Sequence, residues 1–170
     1  SVSRVRARDL LQSLVLEWSM KYAVEFPSVS YRDGPASVLR LAKSVEELGF
    51  DQLDMFDHVV MGYATDSRPA PRYPPQMPIM EALIMLSFVA AGTQTIGLGT
   101  EVLVLPQRNP TLVAKQVGTL AILSGGRVRL GVGVGWQEPE FEALGEEFHT
   151  RGRRCDEGID LLRAYWRDDV

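Results

Sequence analysis

Cysteine is almost missing from this sequence: Cys155 stands alone among 170 residues, and His58 and His149 are the two histidines. A single thiol excludes a disulfide framework, and so few ligands exclude a Cys/His zinc site. Cys155 sits between charged neighbours of a predicted helix and reads as an ordinary helix residue. Basic charge is scarce too. The 18 Lys and Arg are outnumbered by 22 Asp and Glu, for a net charge of −4. Apart from an arginine-rich start and end the cations are dispersed, so neither nucleic acid nor an anionic membrane is expected as a partner. No apolar run reaches the roughly 20 residues of a membrane helix. The run Leu10 to Leu16 is short, broken by Gln12 and Ser13, and followed by no small-residue cleavage site, so a secretory leader is not expected. With one free thiol, a reducing, cytoplasmic compartment is the expectation.

A dinucleotide fingerprint is also lacking. In "LGVGVGWQEPEF", residues 130–141, glycine alternates with valine, but the third glycine of a G-x-G-x-x-G pattern would fall on Trp136 or Glu138. The stretch lies on the fourth predicted strand, not the first, and the chain holds no G-x-x-x-x-G-K-[ST] phosphate loop.

What is present is a soluble, globular composition, 45 % hydrophobic and 24 % charged, arranged as strand then helix, repeated. Lys21 to Phe26 alternates apolar and polar residues at strand period. Val38, Leu41, Ala42, Val45 and Leu48 recur at helical spacing, and Gly49 ends the run. Phe50 to Phe56 is a second strand. Residues 61–78 hold five prolines and can be neither helix nor central strand; a loop that long predicts a lid or a binding loop. Helix resumes from Ile79 to Ala91. Thr95 to Leu105 is the third strand, and Asn109 with Pro110 opens the next helix, which stops at Ser124-Gly125-Gly126. Strand four is Val128 to Val134. A short acidic helix, Glu138 to Leu144, and a longer one, Arg151 to Trp166, close the chain. "MKYAVEF" at Met20 has the look of a protein start, so residues 1–19 are expected to be an extension outside the fold, and 20–170 the folded unit.

Four strands each followed by a helix predict an α/β fold with a parallel sheet. A doubly wound open sheet and half of an eight-fold barrel both fit, since a full barrel takes about 250 residues. In either, ligands gather at the C-terminal ends of the strands. Asp57 and His58 fall there after strand two, Thr100 and Glu101 in strand three with Gln107, Arg108 and Asn109 beyond, and Gly135 and Trp136 after strand four. Along strand four Gly131, Gly133 and Gly135 share one face. That bare face admits either a flat ligand or a tightly packed neighbour.

At these residues the sequence resembles the luciferase-like flavin and deazaflavin oxidoreductases. The likeness is carried by "GFDQLDMFDHVV" at 49–60, by the stretch from "TIGLGTEVLVLPQRNP" at 95–110 through "GVGVGW" at 131–136, and by "RGRRCDEGIDLLRAYW" at 151–166. It runs from about Met20 to Trp166 and is strongest to the branch that uses the deazaflavin coenzyme F-420. The resemblance implies a (β/α)8 barrel of which this chain holds the first four units, a half barrel, with the cofactor ring at its C-terminal mouth. It implies F-420, or alternatively FMN, no metal, and hydride transfer to or from a small-molecule substrate. The alternatives are an FMN-dependent monooxygenase served by a flavin reductase, and a non-catalytic half barrel. A non-proline cis peptide in strand three maps to Glu101-Val102. His58 is the candidate acid/base, with Asp57 orienting it or bonding the ring. Thr100, Glu101, Val102, Gln107, Asn109, Gly133, Gly135 and Trp136 are the candidate cofactor contacts, with Asn109 equally explained as a helix cap. A half barrel leaves two open strand edges, which a homodimer would cover.

Overall fold

The structure, a computed structural model, describes residues 20–27 and 29–167, so the expected extension at 1–19 lies outside the described residues. Strands β1 (Ala23–Glu25), β2 (Gln52–Met55), β3 (Gly97–Thr100) and β5 (Val128–Arg129) form one parallel sheet in that order. The register pairs Val24 with Leu53, Leu53 with Leu98, and Leu98 with Val128. A second parallel pair, β4 (Leu103–Val104) with β6 (Val132–Gly133), lies further along the chain from β3 and β5.

The helices are α1 (Pro35–Glu47), α2 (Ala82–Gly92), α3 (Pro110–Leu123), α4 (Glu138–Leu144) and α5 (Arg151–Arg167). The core forms where they meet the sheet. Leu53, Met55 and Leu98 alternate out of their strands to one face, where they join Val38, Ala42 and Val45 of α1, Leu86 and Val89 of α2, and Val113, Val117 and Leu120 of α3. Leu53 and Leu98 are fully buried, which stabilises the fold by about 1.5–3 kcal/mol per side chain. Helix α5 lies against α3 and closes its own face with Cys155 and Leu162.

The opposite face of the sheet is polar. Asp54 is fully buried there, accepting hydrogen bonds from Gln52 Nε2 at 2.5 Å and from Arg129 at 2.6 Å. A side chain at Gly99 would overlap both Gln52 and Asp54. The sheet thus turns one apolar face to the helices and carries polar side chains on the other.

The element boundaries correct the expected ones in three ways. The strand expected over Thr95 to Leu105 is two strands, β3 and β4; the cis peptide bond that interrupts it lies between Glu101 and Val102, where the resemblance implied one. The strand expected over Val128 to Val134 breaks correspondingly into β5 and β6. Helix α2 starts at Ala82 rather than Ile79, because the Glu81 carboxylate caps it by accepting from the Ile84 N–H at 2.8 Å. Gly49 follows the end of α1 with φ 80°, and Asn109 caps α3 by accepting from Leu112 N–H at 3.2 Å, both at the positions expected.

Candidate active site

The C-terminal ends of the strands open into a cavity of about 460 Å³. Strand β2 delivers Asp57 and His58, the cis-bonded turn delivers Glu101 and Val102, and the segment after β6 delivers Gly133, Gly135 and Trp136, all of them on its wall. Seven of the ten residues singled out from sequence therefore converge. The other three do not. Thr100 is buried and exchanges hydrogen bonds with the backbone of Gly131, its hydroxyl donating at 2.7 Å and accepting at 3.0 Å, so it staples strands rather than facing the cavity. Asn109 is spent on its helix cap and lines a separate cavity with Arg108 and Arg154. Gln107 is buried, and its amide makes no full hydrogen bond among the described residues. It lies close enough to Glu140 to help hold that carboxylate ionised.

The glycines of "GVGVG" answer to packing first. A methyl at Gly131 would run into the Thr100 carbonyl and one at Gly133 into the Val102 side chain, while Gly135 holds φ 73°. The face left bare in strand four is thus filled by the bulge of the neighbouring strand. Val102 fills it and still presents 40 % of its surface, toward the cavity. Close backbone approach and cavity wall are one feature.

Asp57 and His58 part company. The Asp57 carboxylate takes both terminal nitrogens of Arg108, at 2.7 and 2.8 Å, and the Val104 N–H at 2.9 Å. It makes no hydrogen bond to His58, so of the two roles expected for it, orienting the histidine is not the one seen here. His58 instead sets Nδ1 3.1 Å from the Glu140 carboxylate. Glu140, on α4, is fully buried and also accepts from the Val59 N–H at 2.6 Å and the Val60 N–H at 3.3 Å. Burial alone would push its carboxyl up, but the hydrogen bonds with His58 and from the Val59 N–H, together with the nearby polar Gln107 amide, outweigh that and hold it below the ordinary carboxylate range.

Aromatic rings wall the rest. Trp136 meets the His58 ring edge-on, centroids 5.6 Å apart, and Tyr73 completes the cluster at 6.0 Å from His58 and 6.4 Å from Trp136. Tyr73 comes from the proline-rich loop, which is anchored to α4 by a two-pronged ion pair between Arg68 and Glu142. The sequence reading expected a lid or a binding loop here; Tyr73 within it was not singled out. Glu140, Tyr73, Phe56 and Glu25 are the wall or support residues that sequence reading missed.

The lining suits a flat heteroaromatic ring. Backbone at 101–102 and 133–135 gives a close-approach surface, and Trp136 and Tyr73 supply planes. No cluster of basic side chains for a phosphate lines this cavity among the described residues. No helix among the described residues is long and apolar enough to cross a membrane.

Known proteins bear on this geometry. The family model for luciferase-like monooxygenases matches residues 17–170. An F-420-dependent glucose-6-phosphate dehydrogenase of Amycolatopsis mediterranei is 34 % identical over 140 residues, 80 % of this chain and 39 % of the relative. Among solved structures, a monooxygenase from Streptomyces bottropensis is 26 % identical with a TM-score of 0.70, over 89 % of this chain and 44 % of its own. An F-420-dependent secondary alcohol dehydrogenase, solved with an F-420–acetone adduct, is 25 % identical with a TM-score of 0.66, over 88 % of this chain and 43 % of its own. The chain spans about half the length, or less, of the curated relatives it matches. An α/β parallel sheet like theirs, with the matched sequence running through all of its strands, places the chain in the luciferase-like monooxygenase family.

Proposed function

We propose that this chain builds the substrate- and ring-facing half of a luciferase-like oxidoreductase, the first four units of a (β/α)8 barrel. Its cofactor would be coenzyme F-420, with FMN as the alternative. The observation that carries the reading is the convergence of His58, the 101–102 backbone, Gly133 and Trp136 on one cavity. The dehydrogenase relatives support the deazaflavin; the monooxygenase relative supports the second reading, an FMN enzyme supplied by a flavin reductase.

In this reading Val102, Gly133, Gly135 and Trp136 would hold the ring. A bound ring supplies hydride chemistry, which the cofactor carries and the protein positions. The residues of this chain do the rest. His58 takes or gives a proton at the substrate, within a pocket whose walls of Phe56, Tyr73, Val102 and Trp136 shed water. Asp57 is occupied with Arg108 and keeps the strand-two rim in register with strand four's neighbour, β4, through the Val104 N–H. Glu25 and Glu101 give the wall an acidic character that favours a neutral or cationic small molecule over an anion next to the ring.

Calorimetric titration of the 170-residue chain with F-420 and with FMN tests the reading. Saturable binding of one of them, weakened by replacing Gly133 with a bulkier residue, is expected. A folded chain that binds neither overturns it.

A further inference from the structure

We propose that Glu140 is the positioning residue that fixes the proton of His58 on Nδ1 and leaves Nε2 as an acceptor in the cavity. The inference deepens the reading above, in which His58 exchanges a proton with substrate. Asp57, its sequence neighbour, is committed to Arg108, so the orienting carboxylate comes instead from 82 residues away.

A buried, ionised carboxylate can only accept. The backbone N–H groups of Val59 and Val60 donate to Oε1, and Oε2 lies 3.1 Å from the ring nitrogen Nδ1 of His58. Were Nδ1 bare, Oε2 would face a lone pair, a costly arrangement for a fully buried anion.

A competing donor stands close by. Gln137 Nε2 lies 3.2 Å from the same ring nitrogen. Its amide orientation is set elsewhere: the oxygen accepts from Gly62 N–H at 3.3 Å, and the nitrogen donates to Met61 Sδ at 3.3 Å. Two donors, Gln137 Nε2–H and His58 Nδ1–H, do not bond to each other, and of the two claims on Nδ1 the charge-assisted one to Glu140 is the stronger. His58 Nε2 has no partner among the described residues, and the ring lines the cavity. A proton accepted there makes an imidazolium that already faces an anion, so Glu140 serves both protonation states without moving.

Only two histidines are present, which makes the test direct. The chain labelled with 15N-histidine is observed by NMR in its neutral-imidazole limit, with His149→Asn assigning the signals. The expected spectrum of His58 has Nδ1 protonated and Nε2 bare. In Glu140→Gln the amide oxygen keeps the two backbone N–H groups and its NH2 donates to Nδ1, so the ring proton moves to Nε2. Gln137→Leu leaves the wild-type tautomer in place. A wild-type ring protonated at Nε2, or a Glu140→Gln ring unchanged from wild type, overturns the proposal; the wild-type spectrum decides alone if the variant does not fold. Where turnover is measurable, Glu140→Gln lowers kcat about 100-fold with cofactor affinity retained. Failure of the chain to bind a cofactor would remove the oxidoreductase reading and leave the tautomer result standing.

Discussion

Asp57 and Arg108 form a bidentate pair inside the site wall, with the carboxylate side chain fully buried and the guanidinium 13 % exposed. Such a pair is worth little by comparison with two apolar residues, but removing one member strands the other. Arg108→Ala is therefore expected to destabilise the chain by about 3 kcal/mol, read as a shift in the urea midpoint, because Asp57 would keep only the Val104 N–H. A loss below about 0.5 kcal/mol would mean that Asp57 is neutral or hydrated in the folded state. Which single residues matter was only partly legible beforehand. His58 and Trp136 could be named because a histidine and a tryptophan at strand ends are rare enough to stand out. Glu140 could not: one glutamate among the acidic residues of α4 gives no local sign that it is buried, since its partners lie on another unit of the chain. Asp57 was named for its position and then given the wrong partner, as adjacency along the chain is no guide to which side chains meet.

At the level of elements, a carboxylate from α1 organises the turn that feeds β3. Glu46 Oε1 accepts from the backbone N–H groups of Gln94, Thr95 and Ile96 and from the Thr95 hydroxyl. Partial burial raises its pKa, but these four hydrogen bonds prevail and bring it from the ordinary 4.5 down to about 2. A folded-state value below the unfolded one adds stability that is complete above pH 4.5 and is lost as pH falls toward about 2. Glu46→Gln should cost about 1–2 kcal/mol at neutral pH and flatten the acid limb of the stability curve in that window. Equal acid sensitivity of wild type and variant would contradict the assignment. Helices were the most legible elements because their apolar spacing and their stops, Gly49 and Gly125, are local. Periodicity ran strands three and four on as continuous, since a break leaves no mark in alternation; only the resemblance pointed to the cis peptide at Glu101-Val102.

For the whole molecule, the order β1-β2-β3-β5 leaves β1 and β5 each with a partner on one side only among the described residues. The face turned away from the helices carries Gln52, a buried Asp54 and a half-exposed Arg129 rather than a second apolar layer. Exposed strand edges invite pairing, and the proposed half barrel would satisfy them with a second copy of itself. Sedimentation of the 170-residue chain is then expected to show a dimer that dissociates on dilution; a monomer at every concentration would leave the edges to be covered by other means. Fold class was legible at this scale from the alternation of strand and helix. The choice between an open sheet and a barrel wall was not, because the same alternation of strand and helix builds both.

The indole of Trp136 stands 47 % exposed, in edge contact with the histidine and the loop tyrosine. The protein thereby carries a lamp beside its own pocket. Its ultraviolet emission would be extinguished by energy transfer to any yellow ring seated at Val102. The binding event announces itself without a label, and Trp136→Phe darkens that signal while leaving the pocket's outline in place.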